Sequence, residues 1–157
     1  MVELPKELVA SLKDPETVKV LTTVDAEGNP HSVFKGSLTA LDSGYLAYME
    51  MLEFSDSTKN LLRDMYTNRQ ISIAVWDKAN QISYQIKGAP YRFVYEGPIW
   101  DAFLEETWKM FPDSNPPGVW LIEPREVINE DYASRRKDLE AAYPGHKVFF
   151  TYMGVRK

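Results

Sequence analysis

The sequence predicts an α+β chain, mainly β, whose strands run antiparallel and close into a six-stranded barrel flanked by helices. Three observations predict it. The first strand-like segments follow one another through short polar turns, "DAEGNP" and "LDSG", which only antiparallel neighbours can use. The strand–helix–strand alternation that builds a parallel sheet is missing. Six or so strand-like segments in 157 residues suit one small barrel.

Taken in order, residues 3–13 fit a short helix. Leu4, Leu8, Val9 and Leu12 recur at helical spacing, Pro5 suits the first turn, and "DPE" ends it. Val18, Val20 and Thr22 then alternate with Lys19 and Leu21, and His31, Val33 and Lys35 alternate with Ser32, Phe34 and Gly36. With "DAEGNP" between them they read as a hairpin. "YLAYMEM" is a third strand. A helix runs from about Ser55 to Tyr66, with Leu61, Leu62, Met65 and Tyr66 as its buried stripe. "QISIAVWD" is apolar on both faces and predicts a central strand. "QISYQIKGAPYRFVYE" is a long strand in which Gly88 and Pro90 predict a bulge or a barrel corner. "GPIWDAFLEETWKMF" is an amphipathic helix, and "VWLIEPREVI" is a further strand. Residues 129–157 form a C-terminal extension: a charged segment, helical or irregular, then "KVFFTYMGV" as a candidate last strand. The length fits a single domain, 1–157, with its core at about 17–128.

Composition removes several kinds of chemistry. The chain has no cysteine, so thiolate catalysis, thiolate metal sites and disulfides are excluded, and a reducing, cytoplasmic setting is expected. A net charge of -5 repels a phosphate backbone, so no nucleic-acid partner is expected. No apolar stretch is long enough for a membrane span, and no metal site is expected from two distant histidines, His31 and His146. No nucleophile elbow, phosphate-binding glycine loop or dinucleotide fingerprint occurs, and no catalytic residue is identified. Chemistry supplied by a bound cofactor fits this better than a self-sufficient acid–base site.

One stretch stands out, "EFSDSTKNLLRDMYTN" at 53–68. Ser55, Ser57 and Thr58, with Lys59 and Asn60, crowd a helix entrance. Helix grammar alone allows two readings. Ser55 is a good N-cap and Asp56 complements the dipole. Alternatively, free N–H groups, hydroxyls, an amide and an ammonium together form an anion cradle.

The wider context resembles the FMN-binding split barrel of the pyridoxamine 5'-phosphate oxidase-like proteins. The resemblance rests on the turn with Asp25, Gly28 and Pro30, the strand "GYLAYMEM", the run Ser57 to Leu61, and Asn68 to Ile73 entering the next strand. It spans roughly 17–128. It implies a homodimer with two FMN molecules at the interface between barrels. The phosphate would meet Ser57, Thr58, Lys59 and Asn60. The ring would lie near Lys35, Gly36 and Ser37, with backbone contacts from Met49, Glu50 and Met51. Tyr84, Gln85, Trp120 and Arg125 would come from the second subunit. Many members carry two adjacent basic residues at the phosphate, whereas this chain has Lys59 and an acidic neighbour, Asp56. The implied function is a flavin-dependent oxidoreductase acting on an unidentified small molecule or electron donor. The alternatives are a non-catalytic barrel holding flavin, deazaflavin or haem, or a structural dimer with an empty cleft.

Overall fold

The computed structural model describes residues 1–145. The chain orders itself as α1 (Lys6–Lys13), β1 (Val18–Val24), β2 (Pro30–Phe34), β3 (Thr39–Ala40), β4 (Leu46–Glu50), α2 (Asp56–Thr67), β5 (Ile71–Asp77), β6 (Ile82–Val94), α3 (Pro98–Met110), β7 (Gly118–Asn129) and α4 (Tyr132–Ala142). The strands form one sheet in the order β2-β1-β5-β6-β7-β4-β3, antiparallel at every ladder. Its two edge strands, β2 and β3, are successive in the chain and joined only by Lys35–Leu38. Ends tied by so short a link must come together, so the sheet curls into a split barrel that the link closes and no ladder seals.

This accounts for a difference from the sequence reading, which had one strand running through to Gly36 and six strands overall. The strand stops at Phe34, where the Lys35 N–H makes its last bond back to the Lys19 carbonyl (2.9 Å). The chain then turns, with the Leu38 N–H on the Lys35 carbonyl (3.0 Å), and adds the two-residue β3 as a seventh strand beside β4. The segment "KVFFTYMGV" lies outside the described residues.

Leu8 and Leu12 of α1 plug the barrel interior against Leu38, Ile86 and Ile122. Burying each is worth about 2 kcal/mol. Lys19 reaches up from β1 to cap the end of that helix, donating to the carbonyls of Leu12 (3.1 Å) and Asp14 (3.0 Å). Burial holds its ammonium below the usual lysine range, with Asp14 opposing the shift. Strand β4 is buried on both faces. Leu46 and Tyr48 face the barrel, while Ala47 and Met49 lie under Ile99 and Phe103 of α3.

The bulge expected near Gly88 is present: the β6–β7 register slips between Lys87 and Gly88 and again between Pro90 and Arg92. A Cβ on Gly88 would lie 2.6 Å from the Glu123 carbonyl oxygen, so only glycine lets the strands cross this closely.

Two surfaces depart from the sequence reading. Strand β5 is central but covered on one face only, and Ala74 and Trp76 are exposed. Helix α2 is rotated from the expected phase. Of the predicted stripe only Leu61 is buried, and Leu62, Met65 and Tyr66 face outward. The inward face carries Ser57, Thr58, Asn60 and Asp64 instead. Partners explain the inversion. The Asn60 amide donates to Thr23 Oγ1 (2.9 Å), and Arg63 bridges the Val24 carbonyl and Asp64. Helix α4 buries nothing, and the "SRRK" run on it pairs locally, Arg135 with Glu130 and Arg136 with Glu140. Among the described residues no helix is long and apolar enough to cross a membrane.

Candidate functional site

A cleft of about 770 Å³ opens where the closing link, the end of β4, the entrance of α2 and the end of α3 converge. That volume suits a drug- or cofactor-sized ligand. One wall is His31, Val33 and Phe34 from β2. The Lys35–Gly36–Ser37 turn and Met49–Glu50–Met51 make the floor. Ser55, Asp56 and Ser57 form one end, and Thr107, Met110 and Phe111 the other. The rim is apolar and open: Phe34 is 79% exposed, Phe54 76% and Met110 69%. A Cβ on Gly36 would meet nothing within 4 Å, so the turn leaves room for a flat group.

Local bonding fixes this geometry. The Ser37 hydroxyl accepts from the Met49 N–H (3.0 Å), pinning the turn to β4. Ser55 caps α2, its hydroxyl accepting from the Thr58 N–H (3.0 Å). The first-turn N–H groups of Asp56 and Ser57 have no partner within the helix. The Ser57 side chain is buried beside them at the end of the cleft.

The floor holds a buried charge network. Glu50 is 2% exposed. Its Oε2 accepts from Lys35 Nζ (3.1 Å), Thr58 Oγ1 (3.2 Å) and Tyr48 OH (3.4 Å). Its Oε1 accepts from the N–H groups of Met51 (3.0 Å) and Leu52 (3.3 Å). Thr58 in turn accepts from Trp120 Nε1 (3.3 Å). The Lys35 ammonium also sits 4.5 Å from the Tyr48 ring centre. Burial, then the Glu50 charge, raises the Tyr48 phenol far above its ordinary range, so it stays a donor.

The structure thus brings together Lys35, Gly36, Ser37, Met49, Glu50, Met51 and Ser57 on one cleft. Thr58 and Asn60 sit behind it, with side chains turned into the protein. Lys59 is exposed, its ammonium on Asp56 (3.2 Å). Trp120 is wholly buried against Phe93. Arg125 lies elsewhere, donating to Asn68 Oδ1 (2.8 Å) and paired with Glu123. Tyr84 and Gln85 line a separate hollow of about 280 Å³ on the outer face of β1, β5 and β6. Burial and the hydrogen bond to Glu7 push the Tyr84 phenol up to about 12.

Sequence reasoning missed Phe54, Leu52, Met110 and Phe111. The one signal for the first two was the pair Leu52 and Phe54, flanking Glu53 directly before a polar helix cap. Among the described residues no group of three His, Cys, Asp or Glu side chains is placed to hold a metal.

The chain matches no protein-family model and no curated protein sequence. Solved structures do resemble it. HupZ of Group A Streptococcus is 21% identical with a TM-score of 0.64, over 82% of this chain and 95% of that one. A protein of Lactobacillus delbrueckii described as a candidate pyridoxamine 5'-phosphate oxidase is 23% identical, TM-score 0.57, over 80% and 93%. An FMN-binding protein of Syntrophomonas wolfei is 11% identical, TM-score 0.60, over 80% and 87%. The same fold recurs in an F420 reductase and in HutZ, a haem storage protein of Vibrio cholerae. The fold is therefore that of the pyridoxamine 5'-phosphate oxidase-like split barrels.

Proposed function

We propose that the cleft binds a flavin-type cofactor, FMN, in a homodimer, and that the chain is a cytoplasmic flavin-dependent oxidoreductase for a small molecule. One observation carries the reading. Residues far apart in sequence, Lys35–Ser37, Met49–Met51 and Ser57, meet on one cofactor-sized cleft with an apolar rim and hydrogen-bond donors at one end.

The residues fit the group in kind. The open turn at Gly36 and the side chains of Val33, Met49 and Phe54 suit a flat ring. Ser57 and the free amides opening α2 suit a phosphate ester. Bound flavin would supply hydride or electron exchange. The chain's own part is to hold the ring, keep Lys35 fixed at the floor through Glu50, and exclude water with the apolar rim.

Two outward apolar surfaces support pairing of two chains. Across the sheet, register aligns Phe34, Val20, Ala74, Gln85 and Ile128 in one uncharged row. Val18 and Trp76 lie beside it, and α2 presents Leu62, Met65 and Tyr66. An apolar face of this kind marks an interaction site. Uncharged along this row, it suits a second copy. Phe34 belongs both to that row and to the cleft rim, so a partner seated there would wall the cleft.

The test is an absorption spectrum of the purified protein followed by FMN titration. Quenching of FMN fluorescence at one flavin per chain is expected, with bleaching under a suitable electron donor. Unquenched FMN refutes the proposal. His31 on the cleft wall favours one second reading, haem. A haem absorption band after reconstitution, lost in His31→Ala, is the result that reading requires.

A further inference from the structure

We infer that Glu50 is a built-in counter-ion that decides how strongly the cleft favours an anionic ligand over a neutral one. This rests on the flavin reading above and adds which part of the ligand supplies the affinity.

What matters is which charges are already committed. Two lysines lie close to the phosphate end of the cleft. Lys35 is held by Glu50 at 3.1 Å, with their side chains 12% and 3% exposed. Lys59 is held by Asp56 at 3.2 Å on the surface. Arg63, one turn further along α2, is spent on the Val24 carbonyl and Asp64. The Thr58 hydroxyl, a natural phosphate donor at a helix entrance, donates to Glu50 instead. Glu50 thus collects an ammonium, two hydroxyls and two backbone amides, a set of donors an exogenous anion would otherwise use.

An arriving phosphate therefore meets Glu50 and Asp56 on the lining and no uncommitted lysine or arginine there. It keeps Ser57 and the first-turn amides. The ring and its linker carry the affinity, and the phosphate adds little. Glu50 is a positioning residue in this scheme. It acts through Lys35 and Thr58 rather than on the ligand.

Glu50→Gln preserves shape and an acceptor oxygen but removes the charge. Lys35 is then a buried cation in need of an anion, facing the cleft. The experiment titrates wild type, Glu50→Gln and the double variant Lys35→Met/Glu50→Gln with FMN, riboflavin and inorganic phosphate, reading flavin fluorescence and Tm. For wild type, FMN and riboflavin should bind within about tenfold of each other, and millimolar phosphate should leave Tm unchanged. In Glu50→Gln the preference for FMN should rise by at least about tenfold, and phosphate should raise Tm. The double variant should lose both gains.

A wild-type preference for FMN above about a hundredfold overturns the inference without need of any variant. So does a Glu50→Gln protein in which both flavins shift alike, or which phosphate fails to stabilise. If no form binds either flavin yet phosphate stabilises only Glu50→Gln, the counter-ion role stands and the flavin reading falls.

Discussion

Replacing Thr58 by valine isolates one hydroxyl. The two side chains have nearly the same shape, so packing around the residue is kept. What goes is the donor to Glu50 Oε2 at 3.2 Å and the acceptor for Trp120 Nε1 at 3.3 Å. A hydrogen bond to a charged partner is worth about 1.5–3 kcal/mol, and an orphaned buried N–H costs about 1–3 kcal/mol. Trp120 is fully buried, so water cannot replace the lost acceptor. Glu50 keeps Lys35, Tyr48 and two amides, which limits its share of the loss. The sum is about 3 kcal/mol, or a Tm lower by about 6–12 °C for a chain of this size. Urea unfolding followed by tryptophan fluorescence measures it, and Thr58→Ser, which keeps the hydroxyl, should recover most of it. A loss below about 1 kcal/mol for Thr58→Val would show that the network is not formed as described. The same geometry sets the outcome for Thr58→Glu. A second carboxylate would be driven against Glu50 in a dry corner, so that variant should unfold the protein rather than simply weaken a ligand.

Gly88→Ala should cost about 3 kcal/mol, the upper end for overpacking, because its methyl would meet the Glu123 carbonyl, which is backbone and cannot turn away. A denaturation midpoint equal to wild type would refute the close crossing. Ala74→Arg, at the centre of the uncharged row, should convert dimer to monomer in light scattering and leave the far-ultraviolet spectrum intact. An unchanged mass would move the interface elsewhere. Stability should hold above about pH 4.5 and fall below it. Asn29 holds Asp25, Asn80 holds Asp77 and Ser134 holds Asp131 below the ordinary carboxylate range. Carboxyls lowered on folding contribute stability above their unfolded value, and it is lost as pH falls through the folded one. A Tm unchanged down to about pH 3 would contradict this.

The sequence alone determined what short-range patterning can carry. The turn at Asp25–Pro30, the Ser55 cap, the kink at Gly88 and the alternation of β1 each depend on neighbours a few residues away, and each is found in the fold. Lys35, Gly36, Ser37 and Met49–Met51 were named from the family resemblance, and the fold brings them onto one cleft. Direction was not legible. Apolar spacing placed Leu62, Met65 and Tyr66 inside, and three-dimensional packing turned α2 the other way. Its polar residues find partners on β1, 37 residues away at Thr23, and at Glu50 on the neighbouring strand β4, and a hydrogen bond made in the interior outweighs an apolar stripe that a second surface can cover. Whether Thr58 points at a ligand or at Glu50, and which carboxylates hold Lys35 and Lys59, depended on how the folded segments meet. Periodicity encodes the face a residue shares; only the folded chain decides what that face meets.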